Sequence, residues 1–339
     1  MRCPTLSELP PPPQDKTGWR WTEESPQLPD TMPDPSTGCL WPCSGQVASW
    51  PRVGIVTPSY NQGQFLQKTI LSVLNQDYPN LEYIIIDGGS TDGSVDIIRK
   101  YEDRLAFWVS EPDRGQAHAI NKGFEQATGS IFAWLNSDDL LEPSAVSLAV
   151  YSLMRYPDVG MVYGDRTMID AKSNVLGHLI GGSFRLYLFR AYMAIPQETV
   201  FFRRDLFYEV GGLDESLEFV FDLDLWCRMQ RVAKIRHLPA FMGRYREHSQ
   251  AKSYDFTLPV PTPLRLRFVR ERNQVYQRYF VPYKPACVSR LIRAFELLRR
   301  QLERRAGWYG EEVAAFRKVR EEGFSQAIAS LHGERNFSS

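Results

Sequence analysis

The chain has 339 residues, of which 43% are hydrophobic and 24% are charged. This length allows one large α/β domain with appendages or two modest domains, with enough apolar residues for a sizeable core. Lys and Arg together number 40, as do Asp and Glu, so the formal net charge is zero. The charge balance therefore predicts no nucleic-acid partner and no strongly acidic one.

Cysteine usage predicts the compartment. The cysteines are Cys3, Cys39, Cys43, Cys227 and Cys287. An odd count at irregular spacing argues against a disulfide framework. Cys39 and Cys43 have the spacing of half a metal site, but no second half follows. Because the chain also shows neither a secretory signal nor an apolar run long enough to span a bilayer, we expect a cytoplasmic protein.

Composition divides the chain into three parts. Residues 1–50 are rich in Pro, Ser, Thr and Trp without periodicity, so we expect an extension that is disordered or draped over the main domain. Residues 51–250 alternate apolar and amphipathic segments and are predicted to form the main domain. Residues 251–339 contain helical stretches with interspersed Arg and are predicted to form a C-terminal helical region.

Short apolar strands alternate with helices along the main domain. The predicted strands are 53–57, 83–86, 107–110, 131–135, 161–165, 198–202 and 235–245. The predicted helices are 64–75, 94–101, 116–127, 143–155 and 222–232. Apolar strands that are each followed by a helix are typical of an α/β fold with a mostly parallel sheet covered on both faces. Such sheets bind ligands at the carboxyl ends of their strands, where this sequence places its polar clusters.

The first of these clusters runs from Asp87 to Ser94 and includes three glycines. Glycine lets the backbone approach a ligand closely, and a carboxylate accepts hydrogen bonds from a base or a ribose hydroxyl, so the segment suits a nucleoside. The alternative is a plain strand-to-helix turn in which Asp92 or Ser94 caps the helix. The segment has neither the dinucleotide fingerprint nor a P-loop.

A second cluster, Asn136-Ser137-Asp138-Asp139, follows the fourth predicted strand. Adjacent carboxylates repel each other unless a cation or an array of donors lies between them. Mg²⁺ and similar hard ions bind one or two protein carboxylates together with substrate phosphates. The cluster therefore predicts a divalent metal site, with an N-terminal cap of the next helix as the alternative.

In this order and at this spacing, the motifs resemble glycosyltransferase family 2. The segments that carry the resemblance lie within residues 53–250 and are Thr57–Gly63, Asp87–Ser94, Glu111–Gln116, Asn121–Gly123, Asn136–Asp139, Gly211–Glu215 and Asp222–Trp226. The resemblance implies a GT-A fold with a Rossmann-like sheet. It also implies inverting transfer from a nucleotide-diphosphate sugar to a glycan or lipid-linked acceptor, in the synthesis of bacterial surface polysaccharide or glycoconjugates.

The same resemblance assigns residues to the donor. Asp87 is expected at the nucleobase and Asp138 at the ribose and sugar, while Asp113 and Arg114 are expected on the sugar side of the pocket. The remaining donor-binding candidates are Pro58, Tyr60, Asn61, Asp92, Gln116 and Asn136.

The metal and the base follow from the resemblance too. Asp139 is expected to hold Mg²⁺ or Mn²⁺ against the diphosphate, and His248 to lie near the metal, with a surface histidine as the alternative. Asp222 is the expected catalytic carboxylate, although many members have Glu-Asp where this chain has Phe221-Asp222.

The position of Asp222 at the start of a predicted helix affects whether it can act as a catalytic base. A helix N-terminus favours the ionised carboxylate that a base requires, although Asp222 is also a good N-cap. Asp224 is a rival, but it stands four residues before Arg228 and is placed to pair with it. Gln197 and Glu198 are expected either to line the acceptor cleft or to be ordinary loop residues.

Two other functions remain as alternatives. A sugar-phosphate nucleotidyltransferase needs a Gly-rich basic loop after the first strand, where this chain has Pro58-Ser59-Tyr60-Asn61. A non-catalytic nucleotide-sugar-binding protein would not need the intact carboxylates Asp139 and Asp222.

The C-terminal region alternates Arg with apolar residues in the segments 264–270 and 290–300. We expect these helices to pack on the catalytic domain or to form a homodimer. The alternative is peripheral contact with an anionic membrane surface at the inner face of the membrane.

Overall fold

The computed structural model describes residues 51–76, 78–179, 195–252 and 262–279. The N-terminal extension, with Cys39 and Cys43, and the basic segment 290–300 lie outside the described residues. Cys227 is free and buried. Within the described ranges, no helix combines the length and apolar character needed to cross a bilayer.

The described residues form nine β-strands and seven α-helices. The strands are β1 Val53–Ser59, β2 Leu81–Asp87, β3 Phe107–Ser110, β4 Ile131–Trp134, β5 Leu140–Leu141, β6 Val159–Ile169, β7 Val175–Leu179, β8 Phe201–Arg203 and β9 Lys234–Arg246. The helices are α1 Gly63–Leu74, α2 Ser94–Lys100, α3 Gln116–Gln126, α4 Ala145–Arg155, α5 Arg204–Glu209, α6 Phe221–Val232 and α7 Pro263–Tyr279.

One mixed sheet contains all the described strands, in the order β3-β2-β1-β4-β8-β6-β9-β5 with β7 beside β6. Strands β1 to β4 pair in parallel, as predicted, and β6 pairs in parallel with β9. Strand β8 runs antiparallel to both of its neighbours. The α/β fold with a mostly parallel sheet is thus confirmed.

One predicted strand is shorter than expected. Residues Gln197–Thr199 form a 3₁₀ turn, and only Phe201–Arg203 are extended. The physical reason is the hydroxyl of Thr199, which donates to the carbonyl of Pro196 at 2.7 Å and accepts from the backbone of Gly164 at 3.0 Å. These bonds favour a turn over continued strand pairing.

Successive residues of the central strands enter two separate cores. Ile55 and Ile85 pack on the face that α1, α2 and α4 cover, whereas Val56 and Ile84 pack on the face that α3 and α6 cover. This alternation is what a sheet with helices on both faces requires. It also leaves the carboxyl ends of the parallel strands at one common edge, where Asp87 lies beside Ser59.

Helix α7 packs directly on the main domain. Its Val275 is fully buried and belongs to the same core as α6, and Glu271 is only 5% exposed. The buried contacts of α7 with the main domain thus come from Glu271 and Val275, whereas Leu264 and Leu266 in the predicted segment 264–270 face solvent. Where the main domain ends and the C-terminal region begins stays a prediction.

Candidate active site

A cavity of about 940 Å³ opens at the carboxyl ends of β1 and β4. Its walls are formed partly by the beginning of α6 and by the segment that follows β9. The predicted site residues that line it are Pro58, Tyr60, Asp113, Gln116, Asn136, Asp138, Asp139 and Asp222. The structure thus brings together the motifs that the sequence placed at strand ends.

Asp87 is completely buried at the end of β2. Its carboxylate accepts hydrogen bonds from the Ser90 backbone at 2.8 Å, the Ser90 hydroxyl at 2.6 Å and the Ser110 hydroxyl at 2.7 Å. These bonds fix the turn that follows the strand. The neighbouring Gly88 lines the cavity, and a Cβ there would lie 2.8 Å from a carboxylate oxygen of Asp113, so a larger residue would require the Asp113 side chain to move.

Asn61 and Asp92 act on the loops around the cavity rather than on its wall. Asn61 adopts a positive φ of 50° and accepts from the backbone of Thr91 at 2.9 Å. Asp92 accepts from the backbone of Gly63 at 2.8 Å and from the Ser94 hydroxyl at 2.6 Å. Burial raises the pKa of Asp92, but the hydrogen bonds from Ser94 and Gly63 outweigh it and leave the pKa lowered. Asp92 therefore joins the first turns of α1 and α2.

Asp113 and Arg114 point to different surroundings. Asp113 lines the cavity and accepts from the backbone of Gly115 at 2.7 Å. The side chain of Arg114 is 72% exposed and pairs with Glu215 at 2.7 Å, away from the cavity lining. Of this predicted pair, the structure places Asp113 alone on the cavity wall.

Three amide side chains of the cavity wall, Gln116, Asn136 and Gln197, are joined by hydrogen bonds. The side chain of Gln116 donates to Asn136 at 2.7 Å, and that of Asn136 donates to Gln197 at 3.1 Å. Gln197 in turn donates to the carbonyl of Trp134 at 2.8 Å. Gln197 and Glu198 both line the cavity. The predicted cleft location of these two residues thus agrees with the structure.

The carboxylates of Asp138 and Asp139 have different hydrogen-bond partners. Oδ2 of Asp138 lies 3.0 Å from Nε2 of His248, whose side chain is 4% exposed, so the surface alternative for this histidine does not hold. Asp139 is 2% exposed and accepts from the backbone N–H of Arg246 at 2.9 Å. Burial, followed by the charges of Asp138 and Glu198, raises the pKa of Asp139 well above its usual value.

The carboxylate cluster fits a divalent cation that takes few protein ligands. Among the described residues, no group of three or more His, Cys, Asp or Glu side chains forms a ready-made metal site. Burial first, and then the nearby charges of Asp138 and Glu198, disfavour the ionised form of Asp139, so this end of the cavity holds several acidic side chains. Mg²⁺ sites commonly use one or two carboxylates and take the remaining ligands from phosphate and water. Asp138 and Asp139 suit such a site.

Two arginines near the cluster, the partly buried Arg166 and the fully buried Arg246, were not predicted from the sequence. Arg166 at the cavity wall binds Glu198 through two contacts of 2.7 and 2.5 Å, and Glu198 is 1% exposed. Arg246 is fully buried and donates to the carbonyl of Asp138 at 2.8 Å. The available signal was a charged residue directly after an apolar strand segment, which identifies a position at the sheet edge but no partner.

Asp222 lies at the second position of α6, whose N-cap is Val220. It is therefore not the N-cap, and its carboxylate accepts from the backbone N–H of Leu223 at 2.7 Å. Burial raises the pKa of Asp222 to about 6, and backbone hydrogen bonds and the charge of Arg166 only partly oppose the rise. The expected lowering by the helix N-terminus is thus outweighed, because a carboxylate in this wall loses much of its hydration.

Asp224 has the structural role predicted for it. It is 1% exposed and accepts from Arg228 at 2.8 Å and from the hydroxyl of Tyr279 in α7 at 2.8 Å. Because both carboxylate oxygens are engaged in this way, Asp222 is the acidic residue of α6 that remains directed to the cavity.

Comparisons with known proteins agree with this arrangement. The model of glycosyl transferase family 2 matches residues 54–209. An uncharacterized glycosyltransferase of Mycobacterium tuberculosis is 33% identical over 193 residues, which cover 56% of this chain and 72% of that protein. An uncharacterized glycosyltransferase of Rickettsia typhi is 30% identical over 194 residues, covering 55% of this chain and 60% of that protein. The chain thus spans less than two thirds of the length of this second relative.

Among solved structures, Staphylococcus aureus TarS 1–349 in complex with UDP-GlcNAc matches with a TM-score of 0.51. The sequences are 15% identical, and the match covers 82% of this chain and 79% of that one. At this identity the likeness concerns the fold, which is the GT-A fold of glycosyltransferases. The chain belongs to glycosyltransferase family 2.

Proposed function

We propose that this chain is an inverting glycosyltransferase that moves a sugar from a nucleotide-diphosphate sugar to a hydroxyl of a glycan or lipid-linked acceptor. The observation that carries the proposal is a single cavity lined by two separate acidic groups. Asp138 and Asp139 enter it after β4, and Asp222 enters it from α6. Inversion requires a base on the face opposite the leaving diphosphate, and carboxylates from two elements supply that separation.

The donor is assigned to the side of the cavity formed by Pro58, Tyr60 and Asp113. Gly88 gives the nucleotide close access to the backbone, while Asp87 shapes the turn beneath it. Gln116 and Asn136 orient the sugar through their amide network. The proposal of a nucleotide-sugar ligand is supported by the family and by the class of ligand in the TarS complex.

We assign a divalent cation, Mg²⁺ or Mn²⁺, to the carboxylate cluster. Asp139 is held in place by Arg246, and each of its oxygens has a second lone pair for a cation. Asp138 is the neighbouring carboxylate, and its contact with Nε2 of His248 at 3.0 Å brings this histidine near the proposed ion. When bound, the ion supplies positive charge that stabilises the departing nucleoside diphosphate.

Asp222 is assigned as the general base. An acceptor hydroxyl is a poor nucleophile until its proton is taken in the transition state. Its oxygen forms a bond to the anomeric carbon as the bond from that carbon to the diphosphate breaks, and the proton passes to Asp222. With a pKa of about 6, Asp222 is ionised at neutral pH and still basic enough to accept the proton.

We further propose a cytoplasmic enzyme of bacterial surface polysaccharide or glycoconjugate synthesis. The cysteine usage and the family support this setting. Peripheral membrane contact and homodimer formation through the C-terminal region remain proposals, and the basic segment 290–300 that motivates them lies outside the described residues.

The decisive experiment is a hydrolysis screen over UDP-, GDP- and TDP-sugars with and without Mn²⁺. We expect one donor to release its nucleoside diphosphate in the presence of the metal. Formation of pyrophosphate from a sugar phosphate and a nucleoside triphosphate would instead identify a nucleotidyltransferase. Tight donor binding without turnover, in the presence of acceptor sugars, would identify a non-catalytic binding protein.

A further inference from the structure

Two phenylalanines from different parts of the chain form a corner in the wall near Asp222. Phe219 precedes α6 and Phe268 belongs to α7, and both are half-buried and line the cavity. Their ring centroids lie 6.4 Å apart and their planes cross at 89°. The two rings therefore meet edge to face and belong to the wall of the same cavity as Asp222, the residue that we assign as the base.

A buried carboxylate fixes this corner. Glu271 is 5% exposed, and its Oε2 accepts the backbone N–H groups of Glu218 at 3.0 Å and Phe219 at 2.9 Å. Its Oε1 accepts from Arg267 at 3.1 Å. Because charge-assisted hydrogen bonds are the stronger kind, α7 holds the segment before α6 in a defined position.

A second anchor lies further along α7. Val275 is fully buried in the core, and the hydroxyl of Tyr279 donates to Asp224 at 2.8 Å. Helix α7 is thus attached through its middle, at Glu271 and Val275, and at its C-terminal end, at Tyr279. The position of Phe268 is set before any ligand arrives, and such preorganisation lowers the ordering cost of binding.

The surroundings of the corner are polar. Lys252 and Glu218 line the same cavity, and the ammonium of Lys252 lies 5.9 Å from the ring centroid of Phe219. A lipid chain would need a wholly apolar groove. A sugar ring presents an apolar C–H face surrounded by hydroxyl groups, so aromatic rings edged by charged groups match its chemistry.

We propose that Phe219 and Phe268 form an acceptor subsite for a pyranose ring, which they orient with its hydroxyl towards Asp222. The acceptor is accordingly a glycan or a glycosylated molecule whose terminal sugar enters the cavity. This inference rests on the proposed function and names the class of acceptor. It makes α7, which lies outside the matched family region, a functional part of the site.

The test uses the full chain with UDP and Mn²⁺ and measures saturation transfer by NMR. The probes are methyl glycosides of glucose, galactose, mannose and N-acetylglucosamine. We expect saturation of aromatic protein protons to reach the ring protons of at least one glycoside. Phe268→Ala should weaken its affinity about tenfold, and Phe268→Tyr should retain it because the ring remains.

Phe241→Ala is the matched control, since Phe241 is 37% exposed on β9 and does not line the cavity. It should bind the glycoside like the wild type. Should Phe268→Ala fail to fold, Phe268→Leu preserves apolar bulk without the ring and is compared with Phe268→Tyr. Unchanged glycoside affinity in the ring-deleted variant, or no glycoside binding by the UDP-loaded wild type, would overturn the inference. Absence of UDP binding itself would instead contradict the proposed function.

Discussion

The Nε2 atom of His248 lies 3.0 Å from Oδ2 of Asp138, although the two residues are 110 positions apart. Arg246 brings them together, because its backbone donates to Asp139 and its side chain donates to the carbonyl of Asp138. The imidazole also packs on Phe65, with the ring centroids 4.5 Å apart. The acidic cluster after β4 is therefore assembled by the end of β9.

Metal dependence is the first prediction. Chelation with EDTA should abolish sugar transfer, and Asp139→Ala should lower it by about a thousandfold or more, because charge stabilisation of the leaving group is lost. Asp138→Asn should reduce transfer and the apparent Mn²⁺ affinity together. Asp96→Asn, at an exposed position of α2, is the control. Full activity in the presence of chelator would exclude this role for the cluster.

The role of Asp222 is tested by Asp222→Asn, which keeps the size of the side chain and removes its basicity. Transfer should fall about 10³-fold, within the range of general-base contributions, while donor affinity stays within about twofold. The matched control is Asp205→Asn, because Asp205 accepts from the next backbone N–H at 2.9 Å just as Asp222 does at 2.7 Å. A variant that still transfers sugar at a near-normal rate would place the base elsewhere.

The pH dependence of the reaction follows from the same group. Burial raises the pKa of Asp222 from 3.8 to about 6, so the basic form is lost as the pH falls through that value. We expect kcat/KM to fall about tenfold per pH unit below pH 6 and to level off above it. The values of kcat/KM below pH 6 should be measured only at pH values at which a thermal melting curve shows that the protein is folded. An acid limb near pH 4 would contradict the assignment.

As the pH rises and Asp222 becomes an active base, the free energy of unfolding should fall. Between pH 3.8 and about 6 the native state keeps a proton that the unfolded state has released, so Asp222 lowers the stability as the pH rises through this window. Asp222→Asn should therefore be more stable than the wild type at pH 7, by on the order of 1 kcal/mol, since water in the cavity reduces the cost. At pH 3 the difference should vanish. Denaturant unfolding at both pH values measures it.

The pair Arg166–Glu198 should contribute strongly to stability, because Glu198 is buried and the side chain of Arg166 is only 18% exposed. Glu198→Ala leaves the guanidinium of Arg166 without its carboxylate and should cost ~3–5 kcal/mol in the free energy of unfolding. The pair Arg99–Asp96, with side chains 61% and 83% exposed, supplies the control. Asp96→Ala should cost no more than ~0.5 kcal/mol. Equal effects of the two substitutions in urea unfolding would disprove the prediction.

The order of strands and helices along the first half of the chain was largely predictable from the sequence. Strands β1 to β4 and helices α1 to α4 appear near their predicted positions, because apolar periodicity reports burial on one face or two. The short strand β5 and the exposed β7 were missed, since two residues or a half-exposed strand show too little periodicity. The position of Asp138 and Asp139 at the cavity followed from a strand end, whereas that of Asp222 followed from the family resemblance.

What the sequence by itself determined is thus the fold class, the family and the acidic residues at strand ends, all of which depend on local pattern. Only the tertiary structure decided that Arg166 pairs with Glu198, that Arg246 holds Asp139 and that Glu271 holds Phe219. Each of these contacts joins residues distant in the chain, and a charged residue in a sequence carries no record of its partner. The tertiary structure also alters the chemistry of the site residues. The pKa of Asp222 is raised because the packed cavity wall removes water from its carboxylate.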